Sequence, residues 1–199
     1  MDFEFGSLKF TVPASVYHPS DDSLMLAEYA QNLKGKILDM GTGCGVAAIA
    51  NAIANKENEV MGVDINPEAV GCATENAERN SVKNIKFLES YLFSGLSGKK
   101  FDGIVFNPPY LPTDPEEKLE GRINAAFDGG KDGREILDRF LSEFEDYLAE
   151  KGTLLLIQSS LNNPEKTKKI LEEKKFRVEI PEKRGFFFEE LFLYRASRY

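Results

Sequence analysis

The sequence is poor in the residues that build metal sites and disulfide frameworks. Its 199 residues include no tryptophan, one histidine and two cysteines. These are too few for a disulfide scaffold, and they cannot complete a structural zinc site by themselves. We therefore predict no metal site and expect His18 to be an ordinary surface or packing residue. Cys44 and Cys72 are expected to fill small buried spaces.

Long apolar runs and targeting signals are also missing. No stretch nears the roughly 18–20 apolar residues that a membrane span needs. The first residues, MDFEFGSLKF, lack the basic head and apolar stretch of a secretory signal. Together with the low cysteine content, these absences predict a reducing, cytoplasmic location and no contact with a membrane.

Basic residues are outnumbered by acidic ones. The chain has 25 Lys and Arg against 33 Asp and Glu, which gives a net charge of −8. Such a charge opposes attraction to phosphate backbones and disfavours nucleic acid as a partner. A hydrophobic content of 42% is enough for a sizeable core, and a chain of this length fits one domain better than two. We therefore treat 1–199 as a single domain.

Short apolar runs alternate with helical patterns along most of the chain. This alternation predicts a parallel sheet with helices on both faces, and the last two strands are close enough to pair as an antiparallel hairpin. The predicted fold is a doubly wound, mostly parallel, seven-stranded α/β domain. The predicted strands are Lys36–Met40, Val60–Asp64, Ile85–Glu89, Phe101–Asn107, Thr153–Gln158, Phe176–Pro181 and Glu190–Arg195.

Local signals mark where several helices begin. A helix is predicted over Val46–Asn55, and another opens at Asn66-Pro67, with a cap residue and a first-turn proline in their preferred places, and runs to about Asn80. The acid-x-x-Glu spacing of Asp132 and Glu135 predicts a capping box and a helix to about Leu148. A further helix is predicted over Pro164–Lys174.

A glycine-rich loop follows the first predicted strand of the sheet. The segment Asp39-Met40-Gly41-Thr42-Gly43-Cys44-Gly45 lets the backbone turn tightly and lets a ligand approach its amides, and the helix N-terminus behind it attracts negative charge. Its G-x-G-x-G spacing departs from the G-x-G-x-x-G fingerprint of dinucleotide sites. The loop alone is therefore a weak signal, and a purely structural turn stays open.

An acidic residue closes the second strand. Asp64 lies about 20 residues beyond the glycine loop, where a carboxylate can accept hydrogen bonds from both hydroxyls of a ribose. We interpret Asp64 as part of a nucleoside site. It could instead cap the following helix, although Asn66 is better placed to do so.

The most specific pattern is NPPY, at the end of the fourth strand. Prolines fix φ and remove donors, so the side-chain oxygen of Asn107 and the carbonyl of Pro108 can face one point, with the Tyr110 ring beside them. Two acceptors suit an incoming NH2 group, whose lone pair is delocalised in an amide or arylamine. Hydrogen bonds from its hydrogens to these acceptors can orient the nitrogen toward an electrophile and stabilise the charge that develops on it.

At these motifs the chain resembles the HemK-type class I S-adenosylmethionine-dependent methyltransferases, which methylate a glutamine side-chain amide in peptide-chain release factors. The resemblance spans nearly the whole chain and rests on VYHPSDDSLML, DMGTGCG, VDINPEA, NPPY and AAFDGGKDGREILDRF. It is strongest to the short eukaryotic and archaeal branch, since the helical N-terminal domain of the bacterial enzymes is absent from this sequence. It implies a Rossmann-like fold and S-adenosylmethionine as cofactor.

The resemblance also implies roles for individual residues. The methionine part of the cofactor would lie against Asp39 and the glycine loop, the ribose on Asp64, and the target amide on the NPPY corner. The segment 1–34 would cover the cofactor, with Asp22 and Ser23 closing over it. The implied cofactor residues are Asp22, Ser23, Asp39, Gly41, Thr42, Gly43, Asp64, Ile65, Ser90, Tyr91 and Asn107, and the implied catalytic residues are Asn107, Pro108, Pro109 and Tyr110.

One departure from the family affects the adenine site. The family usually has an acid after the third strand to bind the adenine amino group, and here that position is Tyr91. Ser90 or a backbone carbonyl could replace the acid. Asp21 stands where the family prefers glutamate, which is a milder change.

Two further segments suggest contacts with other proteins. The long connection 111–131 beside NPPY is interpreted as a substrate-facing lid, with a merely loose surface loop as the alternative. Short members of the family commonly work with a small zinc-binding activator subunit, and the edge strand Ile85–Glu89 is the predicted docking place. The triplet Phe186-Phe187-Phe188 is expected to be core first and a partner surface second.

Other functions stay open at this stage. The same chemistry could serve an exocyclic amine of an RNA or DNA base, or a protein lysine. A catalytically silent cofactor-binding subunit would agree with Tyr91 but not with an intact NPPY corner. A nicotinamide-dependent dehydrogenase is disfavoured by the glycine spacing and by the lack of an obvious group for hydride transfer.

Overall fold

A small hairpin opens the chain and leads into a large sheet. In the computed structural model, which describes residues 1–111 and 128–198, the hairpin pairs β1 (Asp2–Phe5) with β2 (Leu8–Thr11). Seven further strands form one sheet within the described residues. They are β3 (Lys36–Met40), β4 (Glu59–Asp64), β5 (Ile85–Glu89), β6 (Phe101–Phe106), β7 (Leu148–Ser159), β8 (Phe176–Gly185) and β9 (Glu190–Arg198).

The order of the strands confirms the predicted doubly wound topology. The sheet runs β5-β4-β3-β6-β7-β9-β8, with β5 at one edge. The first five strands of this order pair in parallel, whereas β9 is antiparallel to β7 and to β8. The chain therefore reverses its direction of winding between β3 and β6, and ligands in such sheets bind beyond the carboxyl ends of the strands at this point.

Helices cover both faces of the sheet and divide the core in two. They are α1 (Asp21–Ala30), α2 (Val46–Ala54), α3 (Pro67–Arg79), α4 (Glu135–Glu143) and α5 (Pro164–Glu173). Successive residues of β3 point to opposite faces, so Ile37 packs in the layer of α1, α2 and α3 while Leu38 packs in the layer of α4 and α5. Both side chains are fully buried, which explains the continuous apolar pattern of this strand.

Local signals correctly predicted the start of α3. The Asn66 side chain accepts a hydrogen bond from the Glu68 amide at 3.1 Å, and Pro67 occupies the first helical position. The buried face of this helix carries Cys72, which is free, as is the buried Cys44 of the glycine loop. His18 is exposed and meets the Phe3 ring edge-on, with 5.4 Å between ring centroids.

The predicted capping box before α4 is wrong. Arg134 is the N-cap residue and makes no side-chain cap, while the Asp132 carboxylate accepts a hydrogen bond from the Arg134 amide at 3.1 Å. Arg134 is buried and donates to the carbonyl of Asn162 at 2.6 Å and to the Thr167 hydroxyl at 2.9 Å. Long-range contacts of a buried guanidinium therefore position this helix, and no local spacing could reveal them.

Several predicted boundaries also need correction. Helix α4 ends at Glu143 and not near Leu148, and a 3-10 turn follows it. Strand β7 starts at Leu148, earlier than the predicted Thr153. The two C-terminal strands reach Gly185 and Arg198, well beyond the predicted Pro181 and Arg195, because their pairing supplies hydrogen bonds along the whole hairpin.

The expectation that Phe186, Phe187 and Phe188 belong to the core is wrong. Their exposed fractions are 43%, 92% and 85%. They lie at the tip of the β8–β9 hairpin, beyond the last paired residues Gly185 and Glu190, and no layer formed by the described residues covers them.

The opening hairpin is held by α3, which sequence reasoning did not foresee. The Asn76 side-chain oxygen accepts from the Thr11 amide at 2.9 Å, and that of Asn80 accepts from the Lys9 amide at 3.0 Å. These contacts fix the beginning of the 1–34 segment on the outside of the sheet. Only its later part approaches the carboxyl ends of the strands.

Most of the predicted lid, residues 112–127, lies outside the described residues. Its two ends are close together, since Leu111 and Asp128 form an isolated bridge and the Gly129 amide donates to the Leu111 carbonyl at 3.0 Å. Within the described ranges, none of the helices has the length and apolar content that crossing a membrane requires.

Candidate active site

A cavity of about 530 Å³ lies beyond the carboxyl ends of β3, β4 and β6. The chain reverses its winding at this place, which is where the topology predicts a ligand. Every residue predicted for the site lines the cavity: Asp22, Ser23, Asp39, Gly41, Thr42, Gly43, Asp64, Ile65, Ser90, Tyr91, Asn107, Pro108, Pro109 and Tyr110. Residues up to 88 positions apart in the chain therefore meet in one concave site.

The glycine loop needs its glycines for two different reasons. Gly41, Gly43 and Gly45 have φ values of +64°, +55° and +87°, which side chains other than glycine rarely adopt. A Cβ on Gly45 would also lie 3.1 Å from the Cβ of Ala73 on α3. At Gly43, by contrast, a Cβ would meet nothing within 4 Å. The loop therefore packs tightly against α3 at Gly45 and stays open at Gly43, where a ligand can approach the backbone.

Asp39 is a buried acid with no salt-bridge partner in the part of the chain that the structure describes. Only 3% of the residue is exposed, and its carboxylate accepts a hydrogen bond from the Thr42 hydroxyl at 2.6 Å. Burial raises the pKa of Asp39 to about 7, and the Thr42 hydrogen bond opposes this only in part. Within residues 1–111 and 128–198, Asp39 takes part in no salt bridge. Its carboxylate fits a positively charged ligand group.

Asp64 is held in place by backbone amides. The Gly43 amide donates to one carboxylate oxygen and the Asn66 amide to the other, each at 2.9 Å. Burial raises the pKa of Asp64, while these amides act in the opposite direction. Each oxygen keeps a further lone pair, so the carboxylate can still accept from a pair of hydroxyl groups.

The NPPY corner is bound to the start of α1 through Asp22. The side-chain nitrogen of Asn107 donates to the Asp22 carboxylate at 3.0 Å and to the Ser23 hydroxyl at 3.3 Å. The hydroxyls of Tyr17 and Tyr110 donate to the same carboxylate, each at 3.2 Å. Asp22 is 3% exposed, so one buried carboxylate joins both tyrosines to the asparagine.

This network fixes which way the Asn107 amide faces. A carboxylate can only accept hydrogen bonds, so the Asn107 nitrogen must point at Asp22 and the oxygen must point away from it. That oxygen is buried and has no hydrogen-bond partner among the described residues. A buried acceptor without a partner is costly. Because Asn107 lines the cavity, a ligand N–H that reaches this oxygen would remove that cost.

Both tyrosine hydroxyls stay protonated in this network. Burial raises the pKa of Tyr17 and of Tyr110 above the usual tyrosine value, and the adjacent Asp22 carboxylate raises both further. The two hydroxyls therefore act as donors to Asp22 rather than as acceptors.

The predicted adenine side of the cavity is only partly explained. The Ser90 hydroxyl donates to the Leu92 carbonyl at 2.8 Å and accepts from the Gly95 amide at 3.0 Å. It is thus engaged in its own loop and is a poor replacement for the missing acid. The Tyr91 ring lines the cavity and lies 4.7 Å below the guanidinium of Arg139. A backbone carbonyl therefore remains the better of the two predicted substitutes.

Sequence reasoning missed some of the residues around the cavity. Tyr17 supports Asp22 and lies inside the VYHPSDDSLML motif, which was the available signal. Asp128, Glu135 and Ile136 also line the cavity, from the side of α4. They belong to the AAFDGGKDGREILDRF motif, which carried part of the family resemblance, and Asp128 fell within the predicted lid, but none of the three was predicted as a site residue.

The chain is similar to known methyltransferases over most of its length. The methyltransferase small domain family matches residues 20–121. A protein named as a protein N5-glutamine methyltransferase from Methanocaldococcus jannaschii is 45% identical over the whole of both chains. Methyltransferase HEMK2 of Homo sapiens is 35% identical over 81% of this chain and 79% of that protein.

A solved structure is similar over nearly the same extent. The E. cuniculi Mtq2–Trm112 complex, described as responsible for methylation of the translation termination factor eRF1, contains a chain that superposes with a TM-score of 0.69. That chain is 26% identical to this protein. The match covers 93% of this protein and 99% of the matched chain. The resemblance drawn from the sequence motifs is confirmed, and the chain belongs to the HemK-type class I methyltransferases.

Proposed function

We propose that this protein transfers a methyl group from S-adenosylmethionine to the side-chain amide of a glutamine in a peptide-chain release factor. The observation that carries the proposal is the buried oxygen of Asn107, which has no hydrogen-bond partner among the described residues and belongs to a cavity-lining side chain that Asp22 holds. The similar proteins support the substrate, since one is named for glutamine methylation and another for methylation of eRF1.

The residues of the cavity fit S-adenosylmethionine. The cation-free carboxylate of Asp39 suits the ammonium of the methionine part, and the open face of Gly43 admits it closely. The carboxylate of Asp64 suits the ribose hydroxyls. Ile65, which is 46% exposed, offers an apolar surface for the base. When bound, the cofactor supplies an electrophilic methyl group on a sulfonium.

The protein's own contribution is to orient a weak nucleophile. In the proposed complex, the Asn107 oxygen and the Pro108 carbonyl accept the two hydrogens of the substrate NH2 group, and the Tyr110 ring limits its position. As the new N–C bond forms, the nitrogen becomes positive, and the two acceptors stabilise this charge. Neither acceptor is basic enough to keep a proton, so the released proton goes to solvent. Orientation and electrostatics therefore carry the catalysis.

A partner subunit is proposed at the free edge of the sheet. β5 pairs with β4 along one side only and is the edge strand, and Leu88 on it is 40% exposed. An unpaired edge can accept a further strand from another chain. The E. cuniculi relative was solved as a complex with Trm112. We propose that a small, zinc-binding activator subunit extends this sheet at β5.

Transfer of a labelled methyl group tests the proposed function. Wild-type protein is given labelled S-adenosylmethionine together with a release factor, with total RNA or with a histone-like protein, each in a separate reaction. We expect label on a glutamine of the release factor, located by mass spectrometry, and none with Asn107→Ala. Label on RNA alone, or on lysine alone, would contradict the proposal.

The raised pKa of Asp39 predicts that cofactor affinity depends on pH. With a pKa of about 7, the ionised fraction rises from about a tenth at pH 6 to about nine tenths at pH 8. Only the ionised form attracts an ammonium group, so affinity for S-adenosylhomocysteine should rise by about tenfold over this range. The stability of the free protein should change with pH in the opposite direction. Because the folded protein binds this proton more tightly than the unfolded chain does, the free energy of unfolding falls as pH rises from about 4 to 7.

Calorimetric titration of wild type and Asp39→Asn at both pH values measures this effect. The two proteins share the titration of the ligand itself, so the difference between them reports Asp39. Asp39→Asn should bind more weakly at pH 8 and lose the added pH dependence. Identical pH slopes in the two proteins would show that Asp39 does not hold the ammonium.

A further inference from the structure

Three phenylalanines project from the tip of the β8–β9 hairpin. Phe187 and Phe188 are 92% and 85% exposed and contact each other edge to face, with 4.6 Å between ring centroids. Phe186 is 43% exposed, and its amide donates to the Glu189 carbonyl at 2.7 Å, which closes the tip. The tip thus presents a compact aromatic surface on a short, hydrogen-bonded reversal.

Neither the hairpin turn nor the packing of the core requires aromatic residues at these positions. Short hairpin loops are normally built from glycine, asparagine and aspartate, which adopt the required backbone and prefer water. Phe187 and Phe188 belong to neither of the two apolar clusters of the core. Exposed aromatic rings gain little from their position in the fold, and a contiguous exposed patch of this type marks interaction sites.

The tip is anchored beside the NPPY corner. The Ser159 hydroxyl, at the carboxyl end of β7, donates to the Glu189 carboxylate at 2.8 Å. β7 is the neighbour of β6 in the sheet, and Leu156 faces Phe106, the residue before Asn107. The base of the aromatic tip therefore lies beside the end of β6 that carries the NPPY corner.

A second anchor links the hairpin to the start of α1. The Arg184 guanidinium donates to the Glu28 carboxylate at 2.9 Å and to the Glu182 carboxylate at 2.7 Å, and it lies 3.9 Å from the carboxylate of Asp21. Asp21 directly precedes Asp22, which orients Asn107. The hairpin is thus tied to the end of β7 and to α1, the helix whose Asp22 contacts Asn107.

The charges around the tip decide between kinds of partner. Arg184 is already balanced by three carboxylates, and at the base of the tip the exposed Lys183 is outnumbered by Glu189 and Glu190. A nucleic acid could stack its bases on phenylalanine, but its phosphates would meet these carboxylates. A protein segment with an apolar side chain avoids this repulsion.

We propose that Phe187 and Phe188 dock an apolar side chain of the protein substrate, next to the residue that is methylated. This inference rests on the proposed function, because it takes the release factor as the occupant. Aromatic residues at a well-anchored position are frequent hot spots of protein interfaces. The tip would fix how the substrate approaches, while Asn107 fixes the reacting amide.

Paired substitutions at the tip test this proposal. Phe187→Ser/Phe188→Ser is compared with the conservative Phe187→Leu/Phe188→Leu and with Ile53→Ser. Ile53 is 40% exposed and lies at the far end of α2 from the cavity. The serine pair should lower kcat/KM for the release factor by about tenfold or more, mainly through KM. The leucine pair should recover most of the loss, Ile53→Ser should equal wild type, and S-adenosylmethionine affinity should stay unchanged in all variants.

Direct binding separates failure of this proposal from failure of the proposed function. Affinity of the release factor for wild type and for the serine pair is measured without S-adenosylmethionine, so that no methyl transfer is needed. Weaker binding by the serine pair supports docking at the tip even if wild type transfers no methyl group. Equal binding, or a loss confined to kcat, would overturn it. So would a monomer from the serine pair where wild type sediments as a dimer, since the patch would then join two copies of this chain.

Discussion

Asn107→Ala is expected to lower kcat for the release factor by about a thousandfold, with S-adenosylmethionine affinity within about twofold of wild type. Removing one preorganised group that stabilises developing charge typically costs about 10²–10³ in rate. Here the lost group also positions the nitrogen, so the effect should lie at the upper end. In the proposed complex, Asp39 holds the ammonium of the cofactor and Asp64 its ribose hydroxyls, and neither carboxylate is hydrogen-bonded to the Asn107 side chain.

The measurement combines single-turnover methyl transfer with calorimetric titration of the cofactor. Asn80→Ala is the matched control, because it removes an asparagine side chain whose hydrogen bonds within the described residues go to Lys9 and Asn76 and which does not line the cavity. It should leave kcat unchanged. If Asn107→Ala turned over at a rate close to that of wild type, Asn107 could not be the acceptor for the substrate amide, and the proposed mechanism would fail.

Asp22→Ala is expected to lower kcat by about a hundredfold. Without this carboxylate, the Asn107 amide can rotate and present its nitrogen to the substrate, and two donors cannot bind an NH2 group. Tyr17 and Tyr110 lose their acceptor in the same step. In the proposed mechanism Asp22 acts through Asn107 and is a positioning residue. Asp21→Ala is the matched control, since Asp21 is the adjacent acid on the same helix and does not contact Asn107.

A double-mutant cycle separates positioning from a general loss of structure. If Asp22 works by orienting Asn107, Asp22→Ala should add little to the loss of kcat that Asn107→Ala already causes. The rates are taken at saturating S-adenosylmethionine, so that any weaker cofactor binding appears in KM instead. If the fold-losses of kcat in the two single variants multiply in the double variant, Asp22 acts on the reaction independently of Asn107, and the orientation argument fails.

Much of the fold was predictable because its signals are local. Asn66-Pro67 opens a helix through the chemistry of two adjacent residues, and the predicted bounds of β5, Ile85–Glu89, match the structure. The G-x-G-x-G loop requires left-handed backbone that glycine alone adopts readily. Regular alternation of strands and helices then leads to a doubly wound sheet, and topology places the ligand at its carboxyl edge.

Local reasoning failed where a residue's partner is distant in the chain. Helix α4 begins where the guanidinium of Arg134 reaches Asn162 and Thr167, and not where the capping pattern predicts. The three phenylalanines resemble core residues by composition, yet no layer of the described structure covers them. Hydrophobic sequence indicates what could be buried, and only the arrangement of the other elements decides what is.

The sequence by itself determined the strand and helix order, the glycine turn and the set of polar residues gathered beyond the strand ends. Only the tertiary structure decided how those residues act. It buries Asp39 without a cation, which raises its pKa, and it brings Asp22 to Asn107 across 85 positions of the chain. The direction of an amide depends on the charge facing it, and that charge comes from a part of the chain with no local connection to NPPY.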